Sequence, residues 1–315
     1  MPLSDNSNEL AHIARDITEH HCGAPVLDLT PIIGSGTVNA VYRLQLPERQ
    51  VVLRLRAVAL GEYQKEAWCI AQTTALGVSG PEVIACGEAD GVAYLLESCL
   101  PGTPGDECTC ELRPIWQALG RYARQIHSIP SWDFDGERAG DAFGDAAESF
   151  APTWQAHVSY NIDSITPDDE VLAMGVYRAN QADRIRTIFS SLLTHPFRFG
   201  LTHGDLSLSN CLVTEAGEVA IVDWGCARIH VTPHYELNVI LEDSLRQRPD
   251  GPELLAAFLD GYGISPAAFA AMQAELKMLL LLSAVDTLRW AIDRCPSRIS
   301  ELCAYATEVA ARVLS

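Results

Sequence analysis

The chain has 315 residues, 48% of them hydrophobic, and a formal net charge of −19. The length allows about two domains, and the hydrophobic fraction is that of a globular protein rather than a disordered one. The excess of acidic residues argues against nucleic acid as a partner, since phosphate backbones are bound through Lys and Arg, and it disfavours an anionic membrane. A cationic small molecule is compatible, because a negatively charged cleft attracts it.

The ten cysteines are scattered, and none forms a Cys-x-x-Cys pair. We therefore expect free thiols in a reducing compartment and no zinc site. The first eight residues lack the basic and apolar regions of a signal peptide. The longest apolar run, residues 278–285, is far shorter than the ~18 residues of a membrane span. These features predict a soluble, cytoplasmic protein.

The first hundred residues are predicted to be rich in strands. Apolar residues at helical spacing predict helices over residues 7–21 and 63–76, the first ended by Gly23 and Pro25. Short runs of β-branched and other apolar residues predict strands over residues 30–33, 40–46, 51–55, 83–85 and 92–96.

Beyond the turn-forming segment 100–105 the pattern is mainly helical. A helix is predicted from Pro114 to just before Pro130, followed by a loop rich in Gly and Asp over residues 130–148. Further helices are predicted over residues 182–193, 252–259, 267–292 and 297–314. The chain is thus predicted to be an α+β protein, with a β-rich N-terminal lobe (residues 1–97), a linker (residues 98–105) and a mainly helical C-terminal lobe (residues 106–315).

Two short motifs in the C-terminal region carry the main functional signal. His-Gly-Asp at 203–205 is followed by Asn210, and Asp-Trp-Gly at 223–225 follows a predicted hairpin over residues 211–222. A turn at the centre of this hairpin brings Asn210 and Asp223 face to face at its open end. The Asp-x-x-x-x-Asn spacing with a later Asp is typical of phosphoryl transfer. In such a site Asp205 orients a substrate hydroxyl, and Asn210 and Asp223 bind Mg²⁺ through hard oxygen atoms.

The N-terminal region contains candidates for phosphate binding. The segment between the first and second predicted strands has small residues and backbone N–H groups suited to cradling phosphates, namely Gly34, Ser35, Gly36, Thr37 and Asn39. The only lysines are Lys65 and Lys277, and neither lies on the strand over residues 51–55. Arg54 on that strand is therefore the predicted phosphate contact, paired with Glu66 of the next helix, and Lys65 is predicted to have no such role.

These residues together resemble the aminoglycoside phosphotransferase and choline kinase-like family of small-molecule kinases, which are related to protein kinases. The resemblance runs from Ile32 to the last helices. It rests on the two motifs above and on residues 34–43, 52–55, 65–67, 94–96 and 100–102. His-Gly-Asp stands where protein kinases have His-Arg-Asp, as is typical of the small-molecule branch.

The resemblance implies a bilobal, protein-kinase-like fold with ATP or GTP and Mg²⁺ between the lobes. It implies roles for seven residues: Asp205 as the base, Asn210 and Asp223 as metal ligands, Arg54 as phosphate contact with Glu66 as its partner, and Ser98 and Leu100 as nucleotide contacts at the linker. The sequence departs from the family at two places. Arg54 stands where lysine is usual, and Glu-Ser-Cys at 97–99 stands where Met-Glu-Tyr is common.

The acceptor side has a weaker signal. Acids suit ammonium groups and aromatic rings suit sugars or cations, and the candidates in the helical region are Glu236, Asp286 and Trp290, followed by Trp154, Tyr160, Asp163 and Asp293. The favoured interpretation is a kinase that phosphorylates a hydroxyl of an aminoglycoside-like or other amine-bearing acceptor. Two alternatives stay open: the same chemistry on a metabolite or a macrolide, and a nucleotide-binding pseudokinase that regulates a partner.

Overall fold

The structure, a computed structural model, describes residues 7–32, 40–57, 60–129, 150–246 and 248–315. The predicted loop over residues 130–148 lies outside these ranges. So do the five predicted phosphate-cradling residues, Gly34, Ser35, Gly36, Thr37 and Asn39.

The N-terminal lobe is built on an antiparallel sheet with the strand order β1-β2-β3-β5-β4. Its strands are β1 (Asp28–Pro31), β2 (Ala40–Gln45), β3 (Gln50–Ala57), β4 (Val83–Ala89) and β5 (Val92–Ser98). Because side chains alternate between the two faces of a strand, Leu53 and Leu96 pack on the outer face with α1 (Ser7–Cys22). Leu95 packs on the inner face against Tyr63 of α2 (Leu60–Ala75).

The C-terminal lobe is mainly helical. Its helices are α3 (Leu112–Ile126), α4 (Phe150–Asp163), α5 (Glu170–Ala173), α6 (Ala182–Thr194), α7 (His234–Val239), α8 (Gly251–Tyr262), α9 (Pro266–Ala271), α10 (Gln273–Arg294) and α11 (Ile299–Leu314). A π-helical segment, Ile240–Leu245, continues α7. One buried cluster forms around α3 and α8, and a second around α10 and α11. None of the helices in the described ranges is long and apolar enough to cross a membrane.

Two small sheets lie in this lobe. Strand β7 (Arg198–Thr202) pairs with β10 (Arg228–Thr232). Strand β8 (Cys211–Val213) pairs with β9 (Val219–Ile221) as a hairpin and with β6 (Thr103–Pro104) on its other side. The residues just before β8 and just after β9 are those of the two predicted motifs, so this hairpin positions the candidate site.

The predicted α+β architecture is confirmed, and several elements differ from prediction. The helix predicted over residues 267–292 is two helices, α9 and α10, joined at Met272. No Gly or Pro marks this junction. No residue of α9 is fully buried, whereas α10 buries nine residues, so the degree of burial distinguishes the two helices. Strands β7 and β10 were missed because each is short and its partner lies about 30 residues away, beyond the reach of a local pattern.

Candidate active site

The open end of the β8–β9 hairpin brings Asn210 and Asp223 together. The N–H of Val222 donates to the carbonyl oxygen of Asn210 at 3.0 Å, one residue beyond the last strand pair. Asn210 Nδ2 donates to Asp205 Oδ2 at 2.8 Å and to the Asp205 carbonyl oxygen at 2.9 Å. The amide nitrogen is therefore committed to Asp205, which leaves Asn210 Oδ1 and the Asp223 carboxylate as oxygen ligands at one place.

Backbone conformation explains two residues of the motifs. Asp223 has φ +63°, in the left-handed region that non-glycine residues rarely adopt and that is enriched at functional sites. Gly204 has φ +83°, and a Cβ there would lie 2.2 Å from the carbonyl oxygen of Cys226. The segment after Asp223 thus packs directly on residues 203–210, the predicted catalytic loop, and only glycine fits between His203 and Asp205.

Arg54 connects the two lobes through carboxylates. Its guanidinium donates to both oxygens of Glu66, with Nη2–Oε1 at 3.4 Å, and Nη2 also lies 3.2 Å from Asp223 Oδ1. Arg54 and Glu66 are only 9% and 2% exposed. Burial raises the pKa of Glu66 more than the Arg54 charge lowers it. The predicted Arg54–Glu66 pair is confirmed, and it lies beside Asp223.

Lys65 contacts the same turn from α2. Its Nζ donates to the carbonyl oxygen of Gly225 at 3.0 Å and to Glu62 Oε2 at 3.1 Å. The side chain is only 11% exposed, which is low for a lysine. Lys65 therefore holds the Asp-Trp-Gly turn while its neighbour Glu66 holds Arg54. No role at this turn was predicted for Lys65, because the contact spans 160 residues and no local pattern indicates it.

Glu236 binds the backbone of the catalytic loop from within the core. It is fully buried, and its Oε2 accepts hydrogen bonds from the backbone N–H groups of His203 at 2.9 Å and Gly204 at 3.5 Å. His127 Nε2 lies 3.5 Å from the same oxygen. Although burial raises the pKa of Glu236, the hydrogen bond and charge of His127, with the contributions of His203, lower it overall. The prediction that Glu236 contacts the acceptor was wrong, because no solvent-facing surface of this residue exists.

The linker candidates lie at the end of β5. Ser98 Oγ accepts from the backbone N–H of Glu82 at 2.9 Å, and Leu100 is half-buried. Their roles as nucleotide contacts stay predictions. Just before them, Glu97 is only 7% exposed.

Two of the remaining acceptor candidates, Asp286 and Trp290, lie on α10, and Asp286 contacts α4. Asp286 Oδ1 accepts from Asn161 Nδ2 at 2.7 Å and lies 3.6 Å from His157 Nδ1, with 31% of the Asp286 side chain exposed. Trp290, one turn further along α10, is 47% exposed. Trp154, by contrast, is buried in the core. The roles of Asp286 and Trp290 in acceptor binding stay predictions.

A further acid, Asp243, lies within charge-interaction range of Asp205. Burial is the main cause that raises the pKa of Asp243, and the negative charges of Asp205 and Glu242 add to it. Asp243 belongs to the π-helical segment after α7, which the sequence pattern did not indicate.

Residues 30–274 match the model of the phosphotransferase enzyme family, APH. The chain belongs to this family. The matched region covers most of the chain and contains residues of both lobes and every motif described above. No curated protein shows a significant match to the chain.

Three solved structures share the fold over nearly their whole length. The aminoglycoside phosphotransferase APH(4)-Ia has 17% identity and a TM-score of 0.68, with 96% of this chain and 97% of that chain covered. The macrolide 2'-phosphotransferase MphH from Brachybacterium faecium has 17% identity and a TM-score of 0.63, covering 95% and 98%. The spectinomycin phosphotransferase APH(9)-Ia, in complex with ADP and spectinomycin, has 16% identity and a TM-score of 0.59, covering 95% and 97%. These similarities confirm the kinase-like fold.

In this phosphotransferase, five predicted site residues lie together: Asp205, Asn210, Asp223, Arg54 and Glu66. Hydrogen bonds or ion pairs connect Asp205 to Asn210, and Arg54 to Glu66 and Asp223. Glu236 is not part of this group but binds the backbone of residues 203 and 204. Lys65, Asp243 and Glu97 are neighbours of the group.

Proposed function

We propose that the protein is a small-molecule O-phosphotransferase that transfers the γ-phosphoryl group of a nucleoside triphosphate to a hydroxyl of an amine-bearing, aminoglycoside-like acceptor. One observation carries the proposal: Arg54 Nη2 lies 3.2 Å from Asp223, which stands beside Asn210, whose amide in turn binds Asp205. The residues proposed as phosphate contact (Arg54), metal ligands (Asn210 and Asp223) and base (Asp205) are thus adjacent. Phosphoryl transfer depends almost entirely on such positioning and charge stabilisation.

Mg²⁺ suits the oxygen atoms at the hairpin mouth. It binds proteins through one or two side-chain oxygens and keeps water and phosphate oxygens as its other ligands. Asn210 Oδ1 and the Asp223 carboxylate are two such ligands, and within the described ranges no group of three or more His, Cys, Asp or Glu forms an all-protein metal site. When bound, the ion neutralises phosphate charge.

Asp205 acts on the acceptor hydroxyl. Asn210 Nδ2 holds Asp205 Oδ2, and Oδ1 makes no hydrogen bond to any described residue. One oxygen therefore fixes the orientation of the carboxylate, and the other faces the hydroxyl and accepts its proton as the phosphoryl group is transferred. Glu236 keeps this loop in place through the N–H groups of His203 and Gly204.

Charge supports an amine-bearing acceptor. The chain has a net charge of −19, and Asp243 places a second carboxylate near Asp205. Asp286 offers a further partly exposed acid. The relatives APH(9)-Ia and APH(4)-Ia are known in complexes with spectinomycin and hygromycin B, which supports an aminoglycoside-like acceptor here.

The test combines thermal shift with turnover. A panel of nucleotides, with and without Mg²⁺, and of candidate acceptors should raise the melting temperature where a ligand binds the native state. Asp205→Asn keeps the shape but removes the proton acceptor, so kcat should fall by about 10²–10⁴-fold with nucleotide affinity unchanged. Glu215→Gln, at the closed end of the same hairpin, is the control.

Two results would contradict the proposal. Turnover near wild type in Asp205→Asn removes the base from the mechanism. Mg²⁺-nucleotide binding without turnover on any acceptor favours the pseudokinase alternative instead.

A further inference from the structure

Glu97 is a buried acid that the proposed mechanism does not use. It lies on β5 opposite Val52 of β3, and Leu95 lies opposite Arg54. Because paired residues share a face and faces alternate along a strand, Glu97, Val52 and Arg54 all lie on the inner face of the sheet. Glu97 is 7% exposed, and its carboxylate makes no hydrogen bond to any described residue.

The inner face at this point faces the C-terminal lobe, and the proposed nucleotide cleft lies between the two. Arg54 reaches across it to Asp223, and Glu97 is the diagonal neighbour of Arg54, about 7–8 Å away along the sheet. Glu97 is also one residue before Ser98, where β5 ends and the linker begins. The Glu97 carboxylate therefore lies between the groups that contact phosphates and the linker.

A carboxylate buried in this way is costly unless a donor satisfies it. Arg54 acts on this carboxylate through its charge and not through a hydrogen bond, and the carboxylates that its guanidinium binds are those of Glu66 and Asp223. Burial, with the charges of Glu66 and Asp223, raises the pKa of Glu97 to about 7, although Arg54 acts in the opposite direction. The titratable and charged groups that face Glu97 are Arg54 on β3, Tyr63 and Glu66 on α2, Cys86 on β4, and Asp223 after β9.

We propose that Glu97 reads the base of the nucleotide donor by accepting a hydrogen bond from the 6-amino group of adenine. This inference rests on the proposed function, since it needs a nucleotide in the cleft. Adenine presents an N–H donor at position 6, whereas guanine and hypoxanthine present a 6-oxo acceptor there. Two acceptors facing each other in a buried site leave both unpaired, so Glu97 selects ATP over 6-oxo purine nucleotides.

Three donors isolate this contact: ATP, purine riboside triphosphate, which has no 6-substituent, and ITP, which has a 6-oxo group. We expect wild-type kcat/KM to be about 10- to 100-fold higher for ATP than for either analogue, the range of one hydrogen bond to a charged group. Glu97→Gln offers both an N–H donor and an oxygen acceptor, so it should use ITP and ATP within a few-fold of each other. Glu88→Gln, an exposed acid on the adjacent strand β4, is the control.

The pH of the assay gives a second readout. Protonated Glu97 can donate to a 6-oxo group, so the wild-type ATP/ITP ratio should be smallest at pH 6 and rise towards pH 8. In Glu97→Gln the ratio should not change with pH, since the amide does not titrate.

Equal use of the three donors by the wild-type protein would overturn the inference and leave the phosphotransferase proposal intact. An ATP/ITP ratio that Glu97→Gln leaves unchanged would do the same. If no donor is turned over, the proposed function fails, and melting-temperature shifts with the same three nucleotides still decide whether Glu97 selects adenine. If the variant does not fold, the wild-type comparison and its pH dependence decide the matter.

Discussion

The two sides of the cleft are held together in different ways. On the nucleotide side, one buried arginine binds carboxylates from both lobes: Glu66 from α2 and Asp223 after β9. On the catalytic side, Glu236 binds backbone N–H groups of the loop at 203–204, within a single lobe. The nucleotide side is thus a network of side-chain charges that crosses the lobes, and the catalytic side is a backbone fixed to one core.

Because of this difference, substitutions on the two sides should affect different properties of the protein. The strength of the charge network depends on how closely the lobes approach and on which carboxylates are ionised, so changes there should act on nucleotide and Mg²⁺ binding. The catalytic loop is positioned before any ligand arrives, so changes there should act on stability and on kcat.

Breaking the nucleotide side at its centre should have the largest effect. Arg54→Met removes the proposed phosphate contact and leaves Glu66 buried without its partner. We expect kcat/KM for the nucleotide to fall by about 100-fold or more and the free energy of unfolding to fall by about 3–5 kcal/mol. Steady-state kinetics and urea unfolding measure both, with Arg49→Met in the exposed β2–β3 turn as the control. Wild-type nucleotide kinetics in Arg54→Met would refute its assigned role.

A substitution at Glu236, on the catalytic side, should affect kcat and stability rather than nucleotide binding. Glu236→Gln keeps the shape but removes the charge, so we expect the free energy of unfolding to fall by about 1–3 kcal/mol and kcat to fall while nucleotide KM is unchanged. The folded-state pKa of Glu236 lies below its ordinary value of 4.5. Its stabilisation is therefore present above pH 4.5 and is lost as the pH falls through the folded-state pKa.

Urea unfolding of wild type and Glu236→Gln at pH 7 and pH 4 tests this sign. The difference between the two proteins should be smaller at pH 4. A raised nucleotide KM with unchanged kcat would contradict the separation of the two sides.

Lys65 tests whether the nucleotide side includes the turn after Asp223. Lys65→Met removes the hydrogen bond to the Gly225 carbonyl oxygen, so the turn is held less firmly and Asp223 is less well placed for the proposed Mg²⁺. We expect the Mg²⁺ concentration for half-maximal activity to rise by about 3- to 10-fold, with partial rescue by Lys65→Arg. Lys277→Met, which changes the other lysine of the chain, is the matched control. Identical Mg²⁺ curves for the two Met variants would restore the view that Lys65 has no role.

The smallest effect is expected at the acceptor. Asp286→Asn should raise the acceptor KM by about 2- to 5-fold, in line with a partly exposed ion pair. Raising salt from about 0.05 to 0.5 M should raise the acceptor KM more than the nucleotide KM, because exposed charges are screened. Asp183→Asn on α6 is the control. An efficient neutral acceptor whose KM ignores salt would leave the phosphotransferase chemistry standing and discard the amine-bearing acceptor.

Contacts between residues close in the chain were predictable. Asn210 and Asp223 flank one short hairpin, so turn chemistry alone brings them together. Arg54 and Glu66 are twelve residues apart, on a strand and the helix that follows it, and their pairing needs only that helix to pack on its own sheet.

Contacts that depend on the packing of distant segments were not predictable. The Glu236–His203 and Lys65–Gly225 contacts span 33 and 160 residues. Glu236 illustrates this limit. Its residue type alone suggested a contact to the acceptor, but the structure shows that it is fully buried in the core.

The sequence by itself determined the α+β architecture, the hairpin with its two motifs and the Arg54–Glu66 pair, because strand alternation, helical periodicity and turn residues act over a few residues. Only the tertiary structure decided that Glu236 supports the catalytic loop, that Lys65 holds the Asp-Trp-Gly turn, and that Glu97 lies buried with no hydrogen bond from a described residue to its carboxylate. Burial and charge environment depend on how the lobes and helices pack, and that packing sums many distant contacts that no short stretch of sequence contains.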